Sequence, residues 1–117
     1  IKALGVDNVA WIHGVRVGNF MFYGTPCDLS GEISVEMKRW AASRGIELWA
    51  LSFAGDYIGY VSPQKYYETA DPRGDEAYEM YLMSWIGPNQ EPFLTGLLHH
   101  MAEKMFPPAA TAAASAG

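Results

Sequence analysis

Residues 51–63, LSFAGDYIGYVSP, are the stretch on which the fold prediction rests. The apolar run of residues 47–53 is typical of a buried strand, and small and aromatic residues follow it at 54–60. Ser62 and Pro63 then form a pattern that starts a helix. In α/β proteins, functional residues lie where strands end and loops begin. We therefore expect a functional site among the polar aromatic residues that follow this strand.

The segments before this strand predict a β-hairpin and then a strand–helix–strand unit. Gly18 and Asn19 separate two β-prone runs, residues 15–17 and 20–23, and two turn residues between such runs are typical of a hairpin. The second run is apolar throughout, as expected for a strand that is covered on both faces. A helix and the strand of residues 46–53 follow, and the whole unit of about 35 residues suits a parallel crossover.

Apolar residues recur with helical spacing between these two strands. Those that share one face are Ile33, Met37, Trp40 and Ala41. Either Asp28 or Ser30 stands where an N-cap residue is expected, and Gly45 ends the helix just after Arg44. A last helix is predicted for residues 91–106. Its apolar stripe consists of Leu94, Leu97, Leu98, Met101 and Met105. The sequence thus predicts an α/β fold: a small sheet with a β-hairpin, a βαβ-like crossover helix and a C-terminal helix.

The remaining segments carry weaker signals. Residues 69–76, TADPRGDE, are polar and rich in turn residues, which predicts a surface loop. Residues 77–86, AYEMYLMSWI, are aromatic and rich in methionine. Such a stretch is usually core, and the alternative is a surface that faces a lipid-like ligand. Residues 109–117, AATAAASAG, have the low complexity of a tail, so residues 1–108 are predicted to form the folded part.

Composition narrows the class of protein. The 117 residues allow one domain, and 50% of them are hydrophobic, which is enough for a packed core. The net charge of -5, with no basic block, makes nucleic acid an unexpected partner. The single cysteine, Cys27, excludes a disulfide framework and a cysteine-based zinc site. No apolar run reaches the ~20 residues of a transmembrane segment. Since the chain begins at Ile1, we expect either a piece of a longer protein or a cleaved mature N-terminus.

Three polar residues are predicted to follow strand ends: Asp28, Asp56 and Tyr60. Asp28 is either an N-cap or an acid or metal ligand at the rim of the sheet. Asp56 is either a turn residue or a site carboxylate. Tyr60, like the other tyrosines, is either an amphipathic core aromatic or part of a site. These alternatives remain open from the residues alone.

Other reactive residue types do not form a recognisable motif. Adjacent helical residues point about 100° apart, so His99 and His100 cannot both bind one ion. His13 is isolated, which favours a structural role. Cys27 has no histidine near it in the sequence, so no nucleophile–base pair is predicted. Without a nucleophile elbow, phosphate loop or HExxH motif, these residues indicate only an α/β unit with a site at its strand ends.

Four segments, in order, resemble the C-terminal catalytic portion of the neutral ceramidase family. Residues 15–28, VRVGNFMFYGTPCD, resemble the family's hairpin and the strand that leads into a Pro-Gly-Glu turn, and the helix of residues 31–44 follows as it does there. Residues 55–63, GDYIGYVSP, are similar to the family's Asn-x-Tyr-x-x-Tyr-Val-Thr-Thr. The Tyr-Glu of residues 78–79 and the later Gly-Pro-Asn at 87–89 resemble an element before the family's terminal helix.

This resemblance implies part of a larger catalytic domain that hydrolyses amides with zinc as its cofactor. The family's zinc is held by two upstream histidines, the Glu of Pro-Gly-Glu and the second Tyr of the strand-end motif. Asp28 stands at the Glu position and Tyr60 at the Tyr position, so both are implied metal ligands. Tyr78 matches a tyrosine that contacts the scissile amide or its oxyanion, which implies a catalytic role.

The implied reaction is attack of a zinc-bound water on the amide carbonyl of ceramide, which gives sphingosine and a fatty acid. The implied partners are the remainder of the catalytic domain and a lipid-like amide substrate. The implied location is secreted, periplasmic or extracellular.

The sequence also departs from the family pattern. Asp28 is one methylene shorter than the family's Glu, and Gly55 replaces the Asn of the strand-end motif. Both histidine ligands lie outside this sequence, and two oxygen ligands do not make a tight zinc site, so the chain alone is not expected to be active. Two alternatives follow: a divergent non-catalytic relative that serves binding or assembly, or a different hydrolase on the same scaffold.

Overall fold

The computed structural model describes residues 9–69 and 78–108. It has five strands, three α-helices and one π-helix in this part of the chain. In chain order they are β1 His13–Val17, β2 Phe20–Gly24, β3 Asp28–Leu29, α1 Gly31–Ser43, β4 Glu47–Leu51, β5 Tyr60–Val61, α2 Gln64–Thr69, the π-helix Glu79–Met83, and α3 Gln90–Met105. The predicted α/β class is confirmed.

The main sheet has the strand order β1-β2-β4. Strands β1 and β2 form the predicted antiparallel hairpin, and Gly18 supplies the positive φ of 61° that its turn requires. Strands β2 and β4 are parallel neighbours, and α1 makes the crossover between them. The predicted strand–helix–strand unit is therefore confirmed. Its second strand ends at Leu51, two residues earlier than predicted.

The two ends of α1 show which cap predictions hold. Gly45 has a φ of 73° and its amide donates to the Ala42 carbonyl at 3.0 Å, so it ends the helix as predicted. At the other end, Ser30 occupies the N-cap position, but its side chain makes no capping hydrogen bond. Asp28 lies in β3 rather than at the cap, so the N-cap interpretation of Asp28 is wrong.

The core lies between the main sheet and helices α1 and α3. Met21, Tyr23 and Leu48 point from the sheet to this side, where α1 and α3 pack. The helix residues that meet them are Ile33, Met37, Ala41, Leu94, Leu98 and Ala102. The Tyr23 hydroxyl donates to the Leu94 carbonyl at 2.7 Å, so its polar end is satisfied inside the core. The packing on this side of the sheet holds the strands and loops of the candidate site in position.

The opposite face of the main sheet departs from the prediction. An apolar β2 was expected to be covered on both faces. Within residues 9–69 and 78–108, only the face toward α1 and α3 is covered, and large side chains on the other face, such as Val15 and Trp49, are exposed.

A second, two-stranded sheet consists of β3 and β5, which run parallel. The loop of residues 52–59 joins β4 to β5 and is hydrogen-bonded to the segment between β2 and β3. The Phe53 amide donates to the Cys27 carbonyl at 3.0 Å, and the Ile58 amide donates to the Pro26 carbonyl at 2.7 Å. The loop is thus held by backbone hydrogen bonds along its length, which fixes where β5 begins.

The aromatic stretch before α3 is mostly exposed. From residue 78 onward it buries only Met80 and Ser84, while Tyr81, Leu82 and Trp85 are exposed. The interpretation of this stretch as core is therefore wrong for most of its described side chains. The predicted surface loop falls largely within residues 70–77 and the predicted tail within residues 109–117, which are outside the described residues. None of the helices in the described part is long and apolar enough to cross a membrane.

Candidate functional site

The strand pair β3–β5 brings Asp28 and Tyr60 side by side. The two residues are register partners in this parallel pair, and Leu29 pairs with Val61. Because successive side chains of a strand point to opposite faces, Leu29 and Val61 are buried in the core while Asp28 and Tyr60 lie on the other face. The structure thus makes direct neighbours of two residues that are 32 positions apart and separated by α1.

The polar face of this pair extends by one more residue on each strand. The Asp28 amide donates to the Gly59 carbonyl at 3.0 Å, and the Ser30 amide donates to the Val61 carbonyl at 3.1 Å. In a parallel ladder this pattern places Ser30 beside Ser62. Pro63 has no amide hydrogen for the next rung, so the ladder stops there.

Both serines of this face are buried. The Ser62 hydroxyl has no hydrogen-bond partner among the described residues, although its residue is only 2% exposed. Ser30, which does not cap α1, interacts with Tyr60 instead. The sequence offered Ser30 and Asp28 as alternative N-cap residues, because both residue types are common there. The polar face thus consists of Asp28, Ser30, Tyr60 and Ser62.

The electrostatic surroundings of Tyr60 connect this face to the segment before α3. Burial raises the pKa of Tyr60, a hydrogen bond with the Ser30 side chain opposes that rise, and the negative charges of Glu79 and Asp28 raise the pKa further. Tyr78 acts in the same direction. Asp28 and Tyr78, which were also singled out from the sequence, therefore both lie within electrostatic range of Tyr60.

Glu79 is a residue that sequence reasoning quoted but to which it gave no role. It belongs to the π-helix, whose last turn is held by a hydrogen bond from the Ser84 hydroxyl to the Glu79 carbonyl at 2.9 Å. The negative charge of its carboxylate raises the pKa of Tyr60, and it does so more than the charge of Asp28. The signal that could have identified it is its position next to Tyr78, because both residues begin the same helical turn.

Gly59 allows the π-helix segment to approach β5 closely. It has a φ of 102°, and a Cβ atom at this position would lie 2.8 Å from the Met83 carbonyl oxygen and 3.1 Å from the Trp85 ring. Only glycine combines this backbone conformation with this spacing. The contact between β5 and the residues after Tyr78 thus depends on one position directly before Tyr60.

An exposed aromatic cluster borders the site. Phe53 and Tyr57 stack with ring centroids 5.4 Å apart, and Tyr57 meets Trp85 edge-on at 5.4 Å. Phe53 has a positive φ of 56°, which is unusual for a residue with a large side chain. In the same loop, the Asp56 carboxylate accepts a hydrogen bond from the Trp11 amide at 3.3 Å, which connects the loop to the segment before β1.

The remaining candidates lie elsewhere. Cys27 is fully buried, and burial raises the pKa of its thiol, which makes it a poor nucleophile. His99 stacks on Trp40 with centroids 3.8 Å apart, and its Nε2 atom has no partner among the described residues. Burial lowers the pKa of His99, and the charge of Arg44 lowers it further. His13 is exposed at the start of β1.

A zinc ion does not fit the residues of this site on their own. The nearby donors are carboxylate, phenol and hydroxyl oxygens, whereas zinc sites in proteins have three or four protein ligands, usually with nitrogen or sulfur among them. Among residues 9–69 and 78–108 there is no group of three or more His, Cys, Asp or Glu side chains that could hold a metal ion. What the site offers is a set of carboxylate, phenol and hydroxyl oxygens at one rim.

The fold and this rim define an α/β unit: a small mixed sheet with helices on one face and a short parallel strand pair that carries polar residues at the strand ends. No family model matches the chain, and no curated protein matches it significantly. Among solved structures, it is similar to the neutral ceramidase from Pseudomonas aeruginosa. The TM-score is 0.52 and the identity is 22%, and the match covers 74% of this chain. The chain spans only 14% of that ceramidase. The likeness is one of fold alone.

Proposed function

We propose that this chain is the part of a ceramidase-like amide hydrolase that supplies Asp28, Tyr60 and Tyr78 to its active site. The observation that carries the proposal is the register pairing of Asp28 with Tyr60, in a fold similar to that of a solved ceramidase. They are also the two residues that the resemblance implies as metal ligands.

In this proposal, Asp28 and Tyr60 are two oxygen ligands of a zinc ion, and two histidines from outside this sequence complete its coordination. Zinc, when bound, would supply an activated water for amide hydrolysis. The chain's own residues hold the oxygens in place. The backbone rungs between β3 and β5 fix the spacing of Asp28 and Tyr60. Tyr78, which is exposed, supplies a phenol hydroxyl that donates a hydrogen bond to the substrate carbonyl.

The substrate class in this proposal is a lipid-like amide such as ceramide, cleaved to sphingosine and a fatty acid. The exposed aromatic cluster of Phe53, Tyr57 and Trp85 supports an apolar substrate, because it lies beside the polar rim. Since the chain lacks the histidines, its activity requires the remainder of the catalytic domain.

The test is the zinc content of the natural polypeptide that contains these residues, measured by mass spectrometry in the wild type and in Asp28→Ala and Tyr60→Phe. We expect both variants to lose zinc and amidase activity. Asp56→Ala is the matched control, because it removes a carboxylate from the neighbouring loop and should retain zinc. Unchanged zinc content in both Asp28→Ala and Tyr60→Phe, with folding verified by circular dichroism, would rule out the assignment.

A second candidate is a divergent relative that binds or assembles without catalysis. The shorter side chain of Asp28 favours it, because it draws the carboxylate back from the position of the family's Glu. In that case the wild-type protein itself contains no zinc and hydrolyses no N-acyl sphingoid base, so the same measurement distinguishes the two candidates.

A further inference from the structure

The face of the main sheet that points away from α1 and α3 is apolar. The register places Val15, Phe22 and Trp49 in one row across all three strands. Val17 and Leu51 extend this row to either side on the same face. We call these five residues the open face.

The open face has the composition of an interior surface. Val15 is 53% exposed, Trp49 52% and Leu51 41%, and the Phe22 and Trp49 rings lie 5.9 Å apart. A sheet face adapted to water carries polar residues at alternate positions, and parallel strands are normally covered on both faces. The charged or ionisable side chains of this face are found only at its ends, where Glu47 and His13 lie. This pattern fits an apolar partner and does not fit a charged one.

The similar solved structure indicates where such a partner comes from. The match occupies only 14% of that ceramidase, so the same fold exists there inside a much longer polypeptide. We propose that in the natural protein the open face is covered by a layer of apolar side chains from the rest of a longer polypeptide. The contact is an interior packing layer rather than a reversible docking site. The argument rests on the sheet, its exposure and the fold match, and it does not use the zinc or amidase chemistry of the proposed function.

Hydroxyl-radical footprinting of the natural polypeptide tests this proposal. If the open face is covered, Trp49 should be labelled roughly tenfold more slowly than its 52% exposure implies. That decrease corresponds to an exposed fraction as low as the 5% of the buried residue Leu48. Phe93 on α3 is 57% exposed and lies on the other side of the sheet, so its labelling should stay fast. Fast labelling of Trp49 in the natural polypeptide would overturn the proposal.

Repeating the labelling on diluted protein and with added lipid vesicles distinguishes other molecules that could cover the open face. Protection of Trp49 that disappears on dilution would indicate a second copy of the chain, and protection that requires phosphatidylcholine vesicles would indicate a lipid surface. Either result would overturn the proposal.

A pair of variants provides a second, independent measurement. Trp49→Glu in the natural polypeptide should lower the urea midpoint of unfolding, whereas Val35→Glu, on the exposed side of α1, should leave it nearly unchanged. Equal effects of the two variants would count against a covered face. Neither experiment measures zinc or activity, so failure of this proposal and failure of the proposed function remain distinguishable.

Discussion

Replacing Gly59 with alanine should separate β5 from the segment that carries Tyr78 and Glu79. Gly59 has a φ of 102°, and the added Cβ atom would lie 2.8 Å from the Met83 carbonyl oxygen. That oxygen belongs to the backbone, so it cannot move aside as the end of a flexible side chain would. The substitution therefore combines backbone strain with a steric overlap.

The cost of the backbone strain and the cost of the steric overlap can be estimated separately. A non-glycine residue in a positive-φ conformation costs about 1–2 kcal/mol. Overpacking against a fixed neighbour adds about 1–3 kcal/mol. We therefore expect Gly59→Ala to lower the free energy of unfolding by about 2–5 kcal/mol, which urea denaturation followed by circular dichroism would measure.

Gly87 offers a matched control. Its φ of 92° is close to that of Gly59, but no heavy atom lies within 4 Å of the position that a Cβ would take. Gly87→Ala should therefore show only the cost of the strained backbone. The difference between the two variants isolates the contact between β5 and the π-helix segment. Equal destabilisation by Gly59→Ala and Gly87→Ala would refute the reasoning, because it would mean that no close contact exists at Gly59.

Two further predictions concern the core. Tyr23→Phe removes the hydroxyl that donates to the Leu94 carbonyl and should cost about 1 kcal/mol in urea denaturation; an unchanged midpoint would contradict a buried hydrogen bond there. Because the folded state lowers the pKa of His99 below its ordinary value of 6.5, the unfolded chain binds a proton more readily, and the free energy of unfolding should fall as the pH drops below about 6.5. His99→Gln should weaken this pH dependence, and His100→Gln, at an exposed position, should retain it.

Much of the fold could be predicted from local pattern. The hairpin around Gly18, the crossover helix and its end at Gly45 all follow from turn residues and helical spacing between neighbouring positions. The apolar stripe of α3 was also predicted, and Leu94 and Leu98 from it are buried in the core. These features depend on interactions between residues that are close together in the sequence, so they can be predicted from the local sequence pattern.

The candidate site was predictable only in part. Asp28 and Tyr60 were selected from the sequence, but the wrong alternative for Asp28, an N-cap, has the same local pattern as the right placement in β3. Ser30 does occupy the N-cap position, but its side chain makes no capping hydrogen bond and interacts with Tyr60. Neither distinction is visible in the sequence, because strand β3 has only two residues and exists through its pairing with β5.

The sequence by itself determined the helices, the hairpin and the two strands that α1 connects, since each depends on interactions over a few residues. It also predicts that a site lies at the stretch 51–63. Only the tertiary structure decided that Asp28 pairs with Tyr60 and that one face of the main sheet is exposed. It also decided that Glu79 lies near Tyr60, in a segment whose close approach to β5 requires Gly59. The physical reason is that register, close approach and burial depend on which distant segments meet, and the periodicity of one segment does not specify its partner.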